Sequence, residues 1–244
     1  MSKRKLVVGN WKMNPENLDD AKRIASAISR SVKNLKTKVV LCPPFVFLGS
    51  LSGIRGAQDV FYESSGAFTG EVSPAQLASV GVEYVIVGHS ERRALGETNE
   101  IVNKKVRAVL ENGMTAIVCA GEKVRDHGGE YLHEIKAQIT HALKDVNKRY
   151  VSNIVIAYEP VWKIGQREAM SPVEIHEMSI YIRKILHDLY ASMAEDVKII
   201  YGGSVMADDA DRIVGEGNVS GLLVGRESLK PKEFVEIVRL VDSV

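Results

Sequence analysis

The sequence predicts an α/β fold, a single-domain (β/α)8 barrel spanning residues 1–244. Three observations carry this. Short apolar, β-branched runs recur along the chain, segments with helical period separate them, and the spacing is about 30 residues per strand–helix unit, so eight units fill the chain.

The elements follow in order. Leu6 to Val8 is the first run. From Leu18 the positions Ala21, Ile24, Ile28, Val32 and Leu35 lie on one face of a helix, for which Asn14 is the expected cap and Pro15 the first residue. Val39 to Leu41 is the second run, and Gly56 to Asp59 the third, placed mainly by the spacing. Ser73-Pro74 opens a short helix that Gly81 ends. Tyr84 to Val87 is the fourth run, and Thr98 opens a helix with Ile101, Val102, Val106, Val109 and Leu110, closed by Asn112 and Gly113. Thr115 to Cys119 and Ile154 to Tyr158 follow. Ser171-Pro172 then starts a helix carrying Ile175, Met178, Ile182, Ile185 and Leu189. Val197 to Tyr201 and Gly221 to Val224 complete the series. Runs without alternation are how strands of a parallel sheet buried on both faces read. A doubly wound open sheet is the competing architecture, but a dinucleotide binder of that kind carries a Gly-rich turn after its first strand. Gly9-Asn10-Trp11-Lys12 is no such turn. No Pro-rich, Gly/Ser-rich or single-charge linker divides the chain, which favours one domain.

Composition narrows the function. With 45% hydrophobic and 26% charged residues the chain has a real core to bury. Lys+Arg 32 against Asp+Glu 31 leaves a net charge of +1, so no global footprint for nucleic acid or an anionic membrane exists. The longest apolar runs, Ala116 to Ala120 and Ile154 to Tyr158, fall far below the ~18 residues that cross a bilayer. Residues Met1 to Lys5 are basic, but no signal-peptide apolar region follows. Two cysteines, Cys42 and Cys119, fit a reducing, cytoplasmic compartment and read as small apolar fillers.

In a parallel barrel the active site lies at the C-terminal strand ends. Asn10 and Lys12 follow the first run, His89, Ser90 and Glu91 the fourth, and Glu159 the sixth. A carboxylate, an imidazole and an ammonium there suit proton transfer beside a carbonyl: a base, a donor to the oxygen and a fixed positive charge. Each has a plainer reading alone, since a strand-end Glu often caps or pairs and a Lys is often a solvated surface group. Gly202-Gly203-Ser204 after the seventh run and Gly225-Arg226 after the eighth suit phosphate, because glycine lets backbone N–H groups approach an anion; tight turns are the alternative. Residues Val161 to Gly165 form a loop whose Trp162 and Ile164 suit a lid or ordinary loop packing. No metal site of known ligand spacing is visible: His176-Glu177 lacks a second histidine, and His133 and His141 read as solvated. Gly215, Gly217 and Gly221 precede a strand and read as a helix-to-strand loop.

Across almost the whole chain the sequence closely resembles the triosephosphate isomerases, the family that gives the TIM barrel its name. The resemblance rests on GNWKMN (Gly9 to Asn14), GAQ (Gly56 to Gln58), GAFTGE (Gly66 to Glu71), GHSERR (Gly88 to Arg93), CAGE (Cys119 to Glu122), AYEPVWKIG (Ala157 to Gly165), YGGS (Tyr201 to Ser204) and GLLVGRESL (Gly221 to Leu229). It implies an isomerase of a small phosphorylated triose, working without cofactor or metal. Glu159 would be the base and His89, held neutral by the turn that follows it, the electrophile, the pairing this family exemplifies. Lys12 would balance the phosphate and the developing enediolate beside Asn10, with Ser90 and Glu91 in support. Gly165, Ser204, Gly225 and Arg226 would hold the phosphate, and Pro160, Val161, Trp162, Lys163, Ile164, Gly165, Gln166 and Arg167 would close as a lid that shields the enediolate from water. The resemblance further implies a homodimer through a loop carrying Phe68 and Thr69. The chain departs from the family at Gln166-Arg167, where Thr-Gly is usual, at Glu168-Ala169-Met170 in the hinge, and at Arg226, where glycine is usual. These changes bear on lid timing and phosphate affinity. Two rival functions are a Schiff-base aldolase using Lys12 and a barrel that binds phosphorylated metabolites without turnover.

Overall fold

The computed structural model describes residues 4–53, 56–126, 128–165 and 169–244. Among them the chain runs β1 (Leu6–Asn10), α1 (Leu18–Val32), β2 (Lys38–Cys42), α2 (Phe45–Leu48), β3 (Gly56–Ala57), α3 (Pro74–Ser79), β4 (Tyr84–Val87), α4 (Ser90–Ala94) and α5 (Asn99–Glu111). It continues through β5 (Thr115–Ala120), α6 (Glu130–Ala142), β6 (Ile154–Tyr158), α7 (Pro172–Tyr190), β7 (Lys198–Tyr201), α8 (Ala210–Gly215), β8 (Gly221–Val224) and α9 (Pro231–Ser243). This alternation is that of a (β/α)8 barrel, with a strand at each expected run. No helix among the described residues is long and apolar enough to cross a membrane.

The chain divides into two compact units, Met1–Gln58 with Lys163–Ser179 and Ile200–Val244, and Asp59–Trp162 with Ile180–Ile199. In the first, β1 is fully buried and pairs in parallel with β2 on one edge and β8 on the other, while β7 joins β8 at Tyr201 opposite Leu222. Burial on both sides is why these strands are continuous apolar runs. Helices α1 and α9 pack together and bury Ala21, Ile24, Ile28 and Val32 with Phe234, Ile237, Val238 and Val241. Each of the larger side chains contributes about 1.5–3 kcal/mol by leaving water. Asp242 at the end of α9 ties down the entrance to β2, accepting from Thr37 N at 2.6 Å and Thr37 Oγ1 at 2.8 Å.

Two expectations for this unit need correction. The cap of α1 is Asn17 and not Asn14, and Pro15 lies before the helix: Asn17 Oδ1 accepts from Asp20 N at 2.9 Å. Starting there places Asp19 and Asp20 in the first turn, where the helix dipole favours negative charge. The third strand is shorter than Gly56 to Asp59 and ends at Ala57, because the Gln58 amide turns to the carbonyls of Lys12 (2.7 Å) and Cys42 (2.8 Å).

In the second unit β5 lies between β4 and β6, all parallel, with Val87 opposite Val118 and Ala120 opposite Tyr158. α5 and α6 pack on each other and bury Val102, Val106 and Val109 with Ile135 and Ile139. The expected caps hold here. Thr98 accepts from Ile101 N, and Ser73 and Gln76 form a reciprocal capping box with Pro74 at the first position of α3. The apolar spacing of α5 omitted Lys105, which shares the face of Val102 and Val109 and is 3% exposed. Its ammonium reaches Asp59 Oδ1 at 2.6 Å and also Glu97, and Arg92 Nε meets Glu97 at 2.8 Å and Asp59 at 3.1 Å.

Candidate active site

The second unit carries a buried imidazole–carboxylate pair at its strand ends. β4 ends at Val87, and Arg93 holds the turn beyond it, donating from Nε to Gly88 O at 2.8 Å and from Nη1 to Asn99 Oδ1 at 2.7 Å. That turn presents His89, which caps α4. Its Nδ1 accepts from the backbone N–H of Glu91 at 3.2 Å. A nitrogen that accepts in this way has its lone pair in use and carries no proton, so the geometry fits a neutral ring with its proton on Nε2. Nε2 points at Glu159, 3.3 Å from Oε1.

Glu159 is the residue after β6 and is 2% exposed. Its Oε2 accepts from Ser90 N at 3.3 Å. Its Oε1, although close to the imidazole, makes no well-aligned hydrogen bond among the described residues. A buried carboxylate oxygen left with unused lone pairs is costly, and such groups cluster where a proton is to be taken. The backbone of Glu159 is fixed by its N–H to Ala120 O at 2.9 Å.

Residues 160–162 continue from this base into the expected lid. Val161 N donates to Glu122 O at 3.0 Å, and the Trp162 indole donates to Glu122 Oε1 at 2.8 Å. Tyr158 hydroxyl donates to the same oxygen at 3.0 Å. Burial pushes the Glu122 carboxyl above the usual glutamate range, with the hydrogen bonds from Trp162 and Tyr158 opposing. Glu122, the last residue of the CAGE motif, is a carboxylate just past a buried strand, and that placement is the signal in the sequence that marks it. Gln166 and Arg167, the tip of the expected lid, and Glu168 in the hinge lie outside the described residues. Downstream, the hinge residue Met170 is buried and its N–H donates to Tyr201 OH at 3.2 Å.

The first unit brings together Asn10, Lys12 and the turn after β8. Lys12 has a left-handed backbone (φ 53°), and its N–H donates to Asn10 Oδ1 at 3.0 Å. The Gln58 amide accounts for the Lys12 carbonyl, a partner that nothing local in the sequence marks. The Lys12 stem runs beside Gly225, where an added Cβ would lie 3.7 Å from Lys12 Cε. Gly225 precedes a single 3-10 turn, Arg226–Leu229, held by Ser228 Oγ on Gly225 O at 2.6 Å. Arg226 is exposed, Ser204 half-buried, and Gly165 exposed with φ 80°.

The remaining expected positions are surface ones. Glu91 and Thr69 are exposed, and Phe68 is 43% exposed with its ring 4.6 Å from that of Phe61. Among the described residues no group of three His, Cys, Asp or Glu side chains could hold a metal ion.

Comparison with known proteins finds relatives over nearly the whole length of the chain. A family model described as Triosephosphate isomerase matches residues 5–241. A triosephosphate isomerase of Natranaerobius thermophilus is 38% identical over 245 residues, covering 97% of this chain and 96% of that protein. Those of Idiomarina loihiensis and Coprinopsis cinerea are 40% and 39% identical, covering 97% and 98% of this chain and 98% of each relative.

Proposed function

This chain belongs to the triosephosphate isomerase family, and we propose that Glu159, His89, Lys12 and Asn10 carry out its reaction. Its fold class is the (β/α)8 TIM barrel, read as one domain over residues 1–244. It is an isomerase that interconverts D-glyceraldehyde 3-phosphate and dihydroxyacetone phosphate. The observation that carries the assignment of the chemical groups is the His89–Glu159 pair, 3.3 Å apart and buried, with the imidazole proton directed by the Glu91 N–H onto Nε2.

The steps follow from that pair. Glu159 takes a proton from the carbon next to the substrate carbonyl, and the electron pair of that C–H bond forms the C=C bond of an enediolate. Negative charge collects on the former carbonyl oxygen, where the Nε2–H of His89 donates to it. Nε2 of His89 gives its proton to that oxygen and recovers one from the neighbouring hydroxyl, while the proton on Glu159 passes to the former carbonyl carbon as the second oxygen becomes the new carbonyl, so the reaction balances without a cofactor. Lys12 offsets the charge of phosphate and enediolate, and Asn10 fixes the Lys12 backbone through its amide oxygen. Gly165, Ser204, Gly225 and Arg226 hold the phosphate through backbone N–H groups, and Ser90 supports the base by its N–H. Residues Pro160 to Arg167 close over the enediolate, which would otherwise expel phosphate.

The Schiff-base aldolase and the binding-only barrel are not favoured by the relatives, all of them named as isomerases. A homodimer in which Phe68 and Thr69 reach a second copy belongs to the same proposal. It is supported by the exposure of Phe68 on a loop, and Thr69→Arg should convert the dimer to monomer in gel filtration. The cytoplasm is the proposed location, supported by two free, buried cysteines. The decisive assay couples conversion of glyceraldehyde 3-phosphate to detection of dihydroxyacetone phosphate. The native chain turns over and Glu159→Gln does not; full activity in Glu159→Gln would remove the base assignment.

A further inference from the structure

We propose that Gln138, on α6, is a positioning residue for the catalytic carboxylate, acting through the backbone of Gly121. The inference rests on the reading of Glu159 as the base. Beyond the end of β5 the ladder to β6 continues: Glu159 N donates to Ala120 O at 2.9 Å and Val161 N to Glu122 O at 3.0 Å. In a parallel ladder the residue between, Gly121, turns its own N–H and C=O to the opposite side. The strand that should receive them has stopped. β4 ends at Val87, whose partner is Val118, three residues before Gly121.

Gln138 takes the place of that missing strand. Its Oε1 accepts from Gly121 N at 2.9 Å and its Nε2 donates to Gly121 O at 3.1 Å. A carboxamide offers the same donor and acceptor as a peptide unit, so one side chain completes the ladder. The amide is itself oriented, since Nε2 also donates to Glu134 Oε1 at 3.2 Å. Gly121 in turn packs against the backbone of Glu159: a Cβ added there would stand 1.7 Å from the Glu159 carbonyl oxygen. Gly121, Gln138 and Glu159 all line one cavity of about 430 Å³. The two hydrogen bonds from Gln138 hold Gly121 on the side away from β6, and Gly121 limits where the Glu159 backbone stands.

The test is a double-mutant cycle of Gln138→Met with Glu159→Asp, read as kcat and KM separately with inhibition by inorganic phosphate. Gln138→Met keeps the side-chain volume and removes both hydrogen bonds. Displacing a catalytic group by about 1 Å costs on the order of 100-fold, so kcat should fall about 10- to 100-fold while KM and phosphate inhibition stay within about twofold. In the Glu159→Asp background, where the carboxylate is already misplaced, Gln138→Met should cost much less. A kcat within about threefold of native, or losses that multiply in full, overturns the inference. If Gln138→Met fails to fold, Gln138→Glu serves under the same criteria, and its deficit should narrow as pH falls, when a protonated carboxyl can again donate to Gly121 O. A constant deficit across pH overturns it equally. Activity retained in Glu159→Gln would instead remove the base assignment, whatever Gln138 does.

Discussion

Trp162 and Tyr158 donate to one and the same oxygen, Oε1 of Glu122, at 2.8 and 3.0 Å. The first residues of the lid are thereby tied to a group that follows β5, and the tie runs through a buried carboxyl. Removing a hydrogen bond of this kind costs about 1.5–3 kcal/mol when the partner is charged. Trp162→Phe keeps the aromatic bulk and loses the donor. It should lower kcat by about tenfold and raise the share of turnovers that end in free inorganic phosphate, because a loosened lid leaves the enediolate in water longer. Phosphate release measured beside isomerisation checks this. Unchanged partition and turnover would show that the indole N–H does not order the lid.

The same carboxyl makes stability depend on pH. Burial raises the folded-state value of Glu122 above its ordinary 4.5, so just above pH 4.5 the folded chain binds more protons than the unfolded chain. The contribution of Glu122 to stability is therefore present at low pH and lost as pH rises through the raised value. Glu122→Gln keeps the acceptor oxygen and cannot titrate. The difference in Tm, variant minus native, should increase as pH is raised from about 4 to 8. A difference that stays flat over that range would place Glu122 at its ordinary value.

Much of this was legible in the chain. Uninterrupted apolar runs located the strands because burial on both faces removes any need for alternation, and Thr98 and Ser73 named their helix starts through a local hydrogen bond. His89 and Glu159 were readable because chemistry here requires polar groups directly past apolar strands. Three things were not readable. Asn14 and Asn17 are both plausible caps, and only the placement of Asp19 and Asp20 in the first turn separates them. Gln138 sits on a helix far along the chain from Gly121, and nothing local to it indicates that a strand ends short and needs a substitute. Lys105 is polar by composition and buried by context, decided by Asp59 and Glu97, which lie in other elements.

That buried lysine gives a stability prediction. Lys105 is held by Asp59 and Glu97, and burial pushes the Asp59 carboxyl up while the hydrogen bonds from Lys105 and Arg92 help hold Glu97 down. Lys105→Met keeps the stem and leaves two buried acids short of a cation. Breaking a buried network from one side costs about 3–5 kcal/mol. Asp59→Asn, which still offers Lys105 a carbonyl oxygen, should cost clearly less. Urea unfolding of both variants decides the matter, and equal losses would mean that shape and not charge is what the site requires.

Arg226 stands at the start of the turn beside Gly225 and the Lys12 stem. An exposed charge contributes about 0.3–1 kcal/mol at low salt and less as salt screens it. Arg226→Gly should therefore weaken inhibition by inorganic phosphate about two- to fivefold at low ionic strength, leave kcat within about twofold, and lose its effect near 0.5 M salt. A salt-independent change would assign the effect to backbone geometry instead of charge.

Glu159→Asp withdraws the carboxylate by one methylene and changes nothing else in its chemistry. The shortened side chain draws its oxygens back from Ser90 N and His89 Nε2, now at 3.3 Å each, and from the carbon that must lose its proton. Proton transfer needs heavy atoms within about 2.6–3.2 Å, so the loss falls on the transition state. Phosphate binding depends on other residues and should hardly change. We expect kcat to fall at least about 100-fold with inorganic phosphate inhibition within about twofold. A primary deuterium isotope effect on kcat should rise in the variant as proton abstraction becomes rate-limiting; comparable losses in turnover and phosphate affinity, with no change in that isotope effect, would give Glu159 a binding role and leave the base to be found elsewhere.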